Sequence, residues 1–199
     1  VHGWGGITLH DIIDDRFARK AIEKGADGLI AVAAGAGGHA GRWSPFALVQ
    51  EIRKWFDGTL ALSGAIATGG AVLAARAMGA DLAYIGSPFI ATPEARATEE
   101  YKAAICESGA ADIVTSALFT GVSGNYLRAS VVAAGLDPDN LPLPGPDAMN
   151  FKSASGAKAW RDIWGSGQGI GMIDKVTPAA DLISRLKTEY AQAKARICA

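Results

Sequence analysis

Between residues 34 and 41 the chain reads Ala-Gly-Ala-Gly-Gly-His-Ala-Gly, four glycines around one histidine. Imidazole is the side chain best matched to exchanging a proton near neutral pH. Glycine lets a flat ligand approach the backbone closely. His39 is thus the candidate catalytic residue, with Gly37 and Gly38 as candidate ligand contacts. A histidine in a turn more often serves only the backbone. The glycine cluster, directly after an apolar strand-like run, shifts the balance toward chemistry. Its loose Gly-x-Gly-x-x-Ala spacing is a weak dinucleotide signal by itself.

Two further loops suit an anion. Ser63–Gly70 (SGAIATGG) and Gly86-Ser87 each follow an apolar run, in consecutive units. Backbone N–H groups in such loops can point at phosphate oxygens without side-chain interference. Ser63, Gly64, Gly86 and Ser87 are the candidate phosphate contacts. Either loop alone reads as plain turn glycine; the pair favours phosphate. Gly165–Gly171 (GSGQGIG) is a fourth glycine cluster, with Gln168 as its only polar amide. It suits a loop folding back over a ligand, and equally a flexible linker. His10-Asp11 ends the first apolar run, and Thr120–Arg128 could form a lid. The five tryptophans read as packing residues. No cluster of histidine, cysteine and carboxylate has metal-ligand spacing, so no metal is expected.

The elements that must position these residues are βα units. Four short apolar runs, Ile7–Leu9, Gly28–Ala33, Leu60–Leu62 and Leu82–Ile85, read as strands of a parallel sheet buried on both faces. Helical spacing lies between them: Phe17, Ala18, Ala21 and Ile22; Phe46, Val49, Ile52 and Phe56; Val72, Ala75 and Met78. Two helices run into Gly-Ala-Asp, at Gly25–Asp27 and Gly79–Asp81, where glycine suits a left-handed helix end. Four of the eight prolines fall in residues 137–147. Residues 112–170 are accordingly expected to be a mostly helical insertion with a long loop. A closing amphipathic helix is expected over 178–195. Four units cannot close a barrel; they could form a small doubly wound sheet, but no dinucleotide fingerprint opens the chain, so residues 1–111 read better as half of a (β/α)8 barrel, its C-terminal half, completed by the helix within 171–199.

Composition excludes several classes. The 19 basic and 20 acidic residues leave a net charge of -1, which offers no electrostatic footprint for nucleic acid. No apolar stretch approaches the roughly 20 residues that span a bilayer, and no leader pattern is visible. Cys106 and Cys198 are far apart without redox spacing, which points to a cytoplasmic home.

The motifs AGAGGHAG, LSGAIATGGAVLAARAMGAD, YIGSPFIAT, FTGVSGNYLR and GSGQGIGMID, in this order, resemble the nitronate monooxygenase family, formerly called 2-nitropropane dioxygenases. The resemblance implies an FMN-containing barrel that oxidises alkyl nitronates with O2 to a carbonyl compound and nitrite. It places His39 beside the flavin and substrate, and Ser63, Gly64, Gly86 and Ser87 on the FMN phosphate. Gly37 and Gly38 would pass near the flavin; Gln168 is matched only by analogy. Ser87 stands where the family usually has threonine, retaining the hydroxyl. Family members carry an N-terminal half-barrel before this region, so a partner half or a homo-oligomer is expected. Similar motifs occur in FMN-dependent NAD(P)H reductases of the enoyl-acyl-carrier-protein and quinone type. A non-catalytic flavin-binding half-barrel is the remaining alternative.

Overall fold

In the computed structural model, residues 1–144, 158 and 161–199 are described. Its frame is a four-stranded parallel sheet of β1 (Leu9–Ile12), β2 (Gly28–Val32), β4 (Thr59–Ser63) and β5 (Leu82–Tyr84), in the order β1-β2-β4-β5. The chain returns between strands through α1 (Asp15–Glu23), α2 (Pro45–Arg53) and α3 (Gly69–Met78). Each helix starts on a side-chain cap that accepts an otherwise orphaned N–H: Asp14 from Phe17, Ser44 from Phe46 and Thr68 from Ala71. Gly25 and Gly79 take the left-handed conformation expected of a helix end.

The aspartate after each of these glycines has its own task. Asp27 accepts the Thr8 N–H at 2.6 Å, and Asp81 accepts the Leu60 N–H at 2.9 Å. Each carboxylate thereby pins the start of the neighbouring strand. Arg53 ties the second joint, donating to the Gly79, Phe56 and Gly58 carbonyls and to Asp81. The Leu60 N–H, and then the Arg53 guanidinium, hold the Asp81 carboxyl below its ordinary range.

Register divides the sheet into two faces. His10, Leu29 and Leu60 share a row, as do Ile12, Ala31, Leu62 and Ala83. Leu29, Ala31, Leu60 and Leu62 pack with Ala18, Val49, Ile52 and Ala75 of the helices into the main core. The opposite face carries Asp11, Ile30, Ala61 and Leu82, then Val32, Ser63 and Tyr84. Leu82 is 51% and Tyr84 57% exposed. The sheet does not close: among the described residues, β1 and β5 each have one unpaired edge.

Two expectations need correction. The first strand starts at Leu9; Ile7 is 71% exposed outside it, and His10 and Asp11 lie within the strand rather than at its end. Among its described residues the segment 112–170 is not mostly helical. It carries β6 (Ile113–Ser116) and β7 (Gly124–Leu127), which join β3 (Gly38–His39) in an antiparallel sheet ordered β3-β7-β6. All four β7 residues are buried, so no alternation marked the strand. Apart from the 3-10 turn Ala110–Asp112 that overlaps its start, only α6 (Arg128–Ala133) and a 3-10 turn at Gln168–Met172 are helical there among the described residues. The proline-rich loop beyond residue 144 lies outside the described residues.

α4 (Ser87–Ile90) and α5 (Glu99–Glu107) follow β5. The closing helix, α7 (Ala179–Ile197), packs on α3. A Cβ at Gly69 would sit 2.2 Å from the Leu186 carbonyl oxygen, so only glycine permits this approach. Among the described residues no helix is long and apolar enough to cross a membrane, and no side-chain cluster is fit to hold a metal.

Candidate active site

A cavity of about 580 Å³ opens at the C-terminal ends of β2, β4 and β5, within the range of small-molecule sites. Its floor is three loops: Gly35–Gly38, Ser63–Ala67 and Gly86–Pro88. Tyr84, Tyr101 and Trp164 add aromatic wall, and Arg96, Thr98 and Arg161 stand in its lining. The structure therefore brings together Gly37, Gly38, Ser63, Gly64, Gly86 and Ser87. Gln168 and His39 are outside this lining, both exposed, although their neighbours Gly167, Gly169 and Gly38 belong to it.

The loops are bound to one another through backbone. The Gly35 carbonyl accepts from Ala65 N at 3.1 Å and from Gln168 N at 2.9 Å. Among the described residues Ala65 is the non-glycine residue with positive φ, 54°, a conformation held by this contact. A Cβ at Gly167 would lie 2.7 Å from the Gly35 oxygen, and one at Gly37 would lie 2.8 Å from Gly167 N. Much of the glycine in these clusters thus serves close packing of backbone on backbone rather than approach of a ligand.

Two observations bear on anion binding. Among the described residues, the N–H groups of Gly64 and Gly86 donate to no protein atom. Ser87 Oγ accepts from Gly167 N at 3.0 Å and from Ser166 Oγ at 3.3 Å. Both lone pairs are then used, and the Ser87 proton remains for an acceptor in the cavity. A phosphate oxygen has that chemistry. At the far wall, Tyr101 donates to the Gly165 carbonyl and stacks on Trp164 with ring centroids 5.0 Å apart. Burial pushes its phenol up to about 12, so it stays protonated.

His39 sits at the edge of the second sheet, its backbone paired with Gly124. Its Nε2 lies 2.9 Å from Thr120 Oγ1. Asn125 supports the loop from beneath: Nδ2 donates to the Ala36 carbonyl at 2.7 Å, and Oδ1 accepts from Thr115 at 2.5 Å. Asn125 and Tyr126 are buried, so the segment suspected of being a lid is instead the support of the histidine loop.

Residues 12–189 match the model of a family described as nitronate monooxygenase. The chain belongs to the nitronate monooxygenase family. It is similar to nitronate monooxygenases of Paraburkholderia phytofirmans (29% identity, 88% of this chain and 52% of that protein) and of Neurospora crassa (28%, 99% and 56%). Among solved structures it resembles a nitroalkane oxidase from Streptomyces ansochromogenes, with 28% identity and a TM-score of 0.79 over 97% of this chain and 60% of that one. The chain spans about half the length of the curated relatives it matches.

Within this member of the family, several residues of the cavity and its surroundings escaped the sequence reading. Arg96, Thr98 and Tyr101 follow α4 with no glycine motif to mark them. Thr120 is separated from His39 by 81 positions. Ser166 was seen only as part of a glycine run.

Proposed function

We propose that this chain carries the FMN-phosphate and proton-handling part of a nitronate-oxidising enzyme, built as half of a (β/α)8 barrel. The observation that carries the reading is the cradle of Gly64 N, Gly86 N and the Ser87 hydroxyl, three donors in one cavity without an acceptor among the described residues. Family membership supports it. Ser63, Gly64, Gly86 and Ser87 would hold the phosphate, and Gly37 and Gly38 would face the isoalloxazine. Bound FMN would supply the electron chemistry, passing electrons from the nitronate to O2.

The chain's own part is binding, orientation and proton transfer. His39 takes the proton from the carbon of a neutral nitroalkane, or donates a hydrogen bond to a nitronate already anionic. Gln168 would stand at the cavity rim through Gly167 and Gly169. The products are a carbonyl compound and nitrite.

Anaerobic mixing of the FMN-loaded protein with propionate 3-nitronate tests this. Bleaching of the visible flavin band by the nitronate, and none by NADH or NADPH, is expected. Rapid bleaching by a nicotinamide nucleotide alone would place the chain among FMN-dependent reductases instead.

A further inference from the structure

We propose that Arg96 supplies the positive charge for the flavin phosphate, so that the cavity selects FMN over its unphosphorylated form, riboflavin. The inference deepens the proposed function and rests on its reading that the cavity holds FMN.

The cradle described above is neutral. Gly64 N, Gly86 N and the Ser87 hydroxyl can each donate, but none carries a charge. A phosphomonoester bears about −1.5 to −2 charges near pH 7. Taking such a charge out of water against neutral donors alone is costly. A helix start is the usual further source of stabilisation, since its N–H groups favour an anion. The Gly69 N–H that begins α3, however, already donates to the Glu189 carboxylate at 2.7 Å. A negative charge from α7 thus stands at that helix end, and the charge for a phosphate has to come from a side chain.

The cavity lining narrows the choice. Among the described residues it contains no aspartate, glutamate, lysine or histidine, and two arginines, Arg96 and Arg161. Arg161 is committed: its Nε and Nη2 donate to the two carboxylate oxygens of Asp162, at 2.8 and 2.7 Å. That two-pronged pair offsets its charge. Arg96 makes no hydrogen bond or ion pair with any described residue, and it is exposed. Among the described residues it is the uncommitted cation of the lining.

The chain carries Arg96 in the same short stretch as Ser87 and ties the backbone down on both sides of it. Buried Thr92 donates to the Phe89 carbonyl of α4 at 2.9 Å and accepts from Ala95 N at 3.3 Å. Thr98 then caps α5, accepting from Tyr101 N at 3.3 Å. The guanidinium itself is left unpaired by these contacts. Its planar fork of N–H donors matches two oxygens of one phosphate.

Binding of two flavins tests the assignment without reference to turnover. FMN and riboflavin differ only in the phosphate, and each is titrated against the full 199-residue chain by flavin fluorescence. Arg96→Ala should weaken FMN about tenfold, between the effect of an exposed ion pair and that of a charge-assisted bond in a cleft, and leave riboflavin unchanged. Retained riboflavin binding also reports that the variant's cavity is folded. Arg96→Lys should recover most of the FMN affinity, and Arg96→Glu should lose more than Arg96→Ala. Arg161→Ala, whose charge Asp162 already offsets, should change the preference far less. Added salt should narrow the FMN preference of the parent chain and have little effect on that of Arg96→Ala.

Equal losses for both flavins in Arg96→Ala, or an FMN affinity indifferent to the charge at position 96, would overturn the inference while leaving the FMN reading in place. A parent chain that binds neither flavin would refute the FMN reading, and the inference would fall with it.

Discussion

The proposed role of His39 as base depends on whether the substrate arrives with its proton. A nitronate has already lost the proton that a nitroalkane must give up. Replacing the imidazole with an amide of similar reach removes the base and retains polarity. His39→Asn should therefore lower turnover of a neutral nitroalkane by about 10²- to 10⁴-fold, with a far smaller loss on the matching nitronate. Steady-state rates on both forms of one substrate check this; equal losses would show that His39 is not the base. The histidine was singled out in sequence by the glycine cluster around it, directly after a strand. Its partner was not. Thr120 approaches only because β7 pairs with β3, a contact between segments far apart in the chain, and nothing local in FTGVSGNYLR signals it.

Among the elements, the three glycine-rich loops behave as one unit. Gly35, Ala65 and Gln168 meet at a single carbonyl, and Ser87 ties the last loop to the 165–169 segment. Gly167→Ala would drive a Cβ to within 2.7 Å of the Gly35 oxygen. It should cost about 1–3 kcal/mol of stability, as overpacking does, and weaken FMN binding with it. Gly86→Ala is the contrast, since a Cβ there meets nothing within 4 Å; it should leave stability nearly unchanged. Denaturant unfolding of the two variants against the parent decides the matter, and equal stabilities would mean that the loops are not packed as described. The glycine pattern was visible in sequence, but its cause was half read. Ligand approach was inferred where backbone-to-backbone packing accounts for Gly37 and Gly167. The paired Gly-Ala-Asp signature was likewise read for its glycine, while its aspartate proved to pin the start of the preceding, neighbouring strand.

Across the molecule, one layer of helices covers one face of a parallel sheet, and the other face presents Ile30, Leu82 and Tyr84 with the cavity at its C-terminal end. The parallel order was readable because strands buried in such a sheet are short, continuous apolar runs separated by helices of clear periodicity. The antiparallel sheet was not, because its strands are two to four residues long and arise from loops in the sequence reading. These levels meet in the proposed function, in which the loops at the sheet's end would hold FMN and His39 would prepare the substrate. The most direct test is aerobic turnover of propionate 3-nitronate by the FMN-loaded chain, following O2 uptake and nitrite together. Nitrite released in proportion to nitronate consumed, and dependent on FMN, is the result expected. A chain that holds FMN yet consumes no O2 and releases no nitrite would contradict the claim.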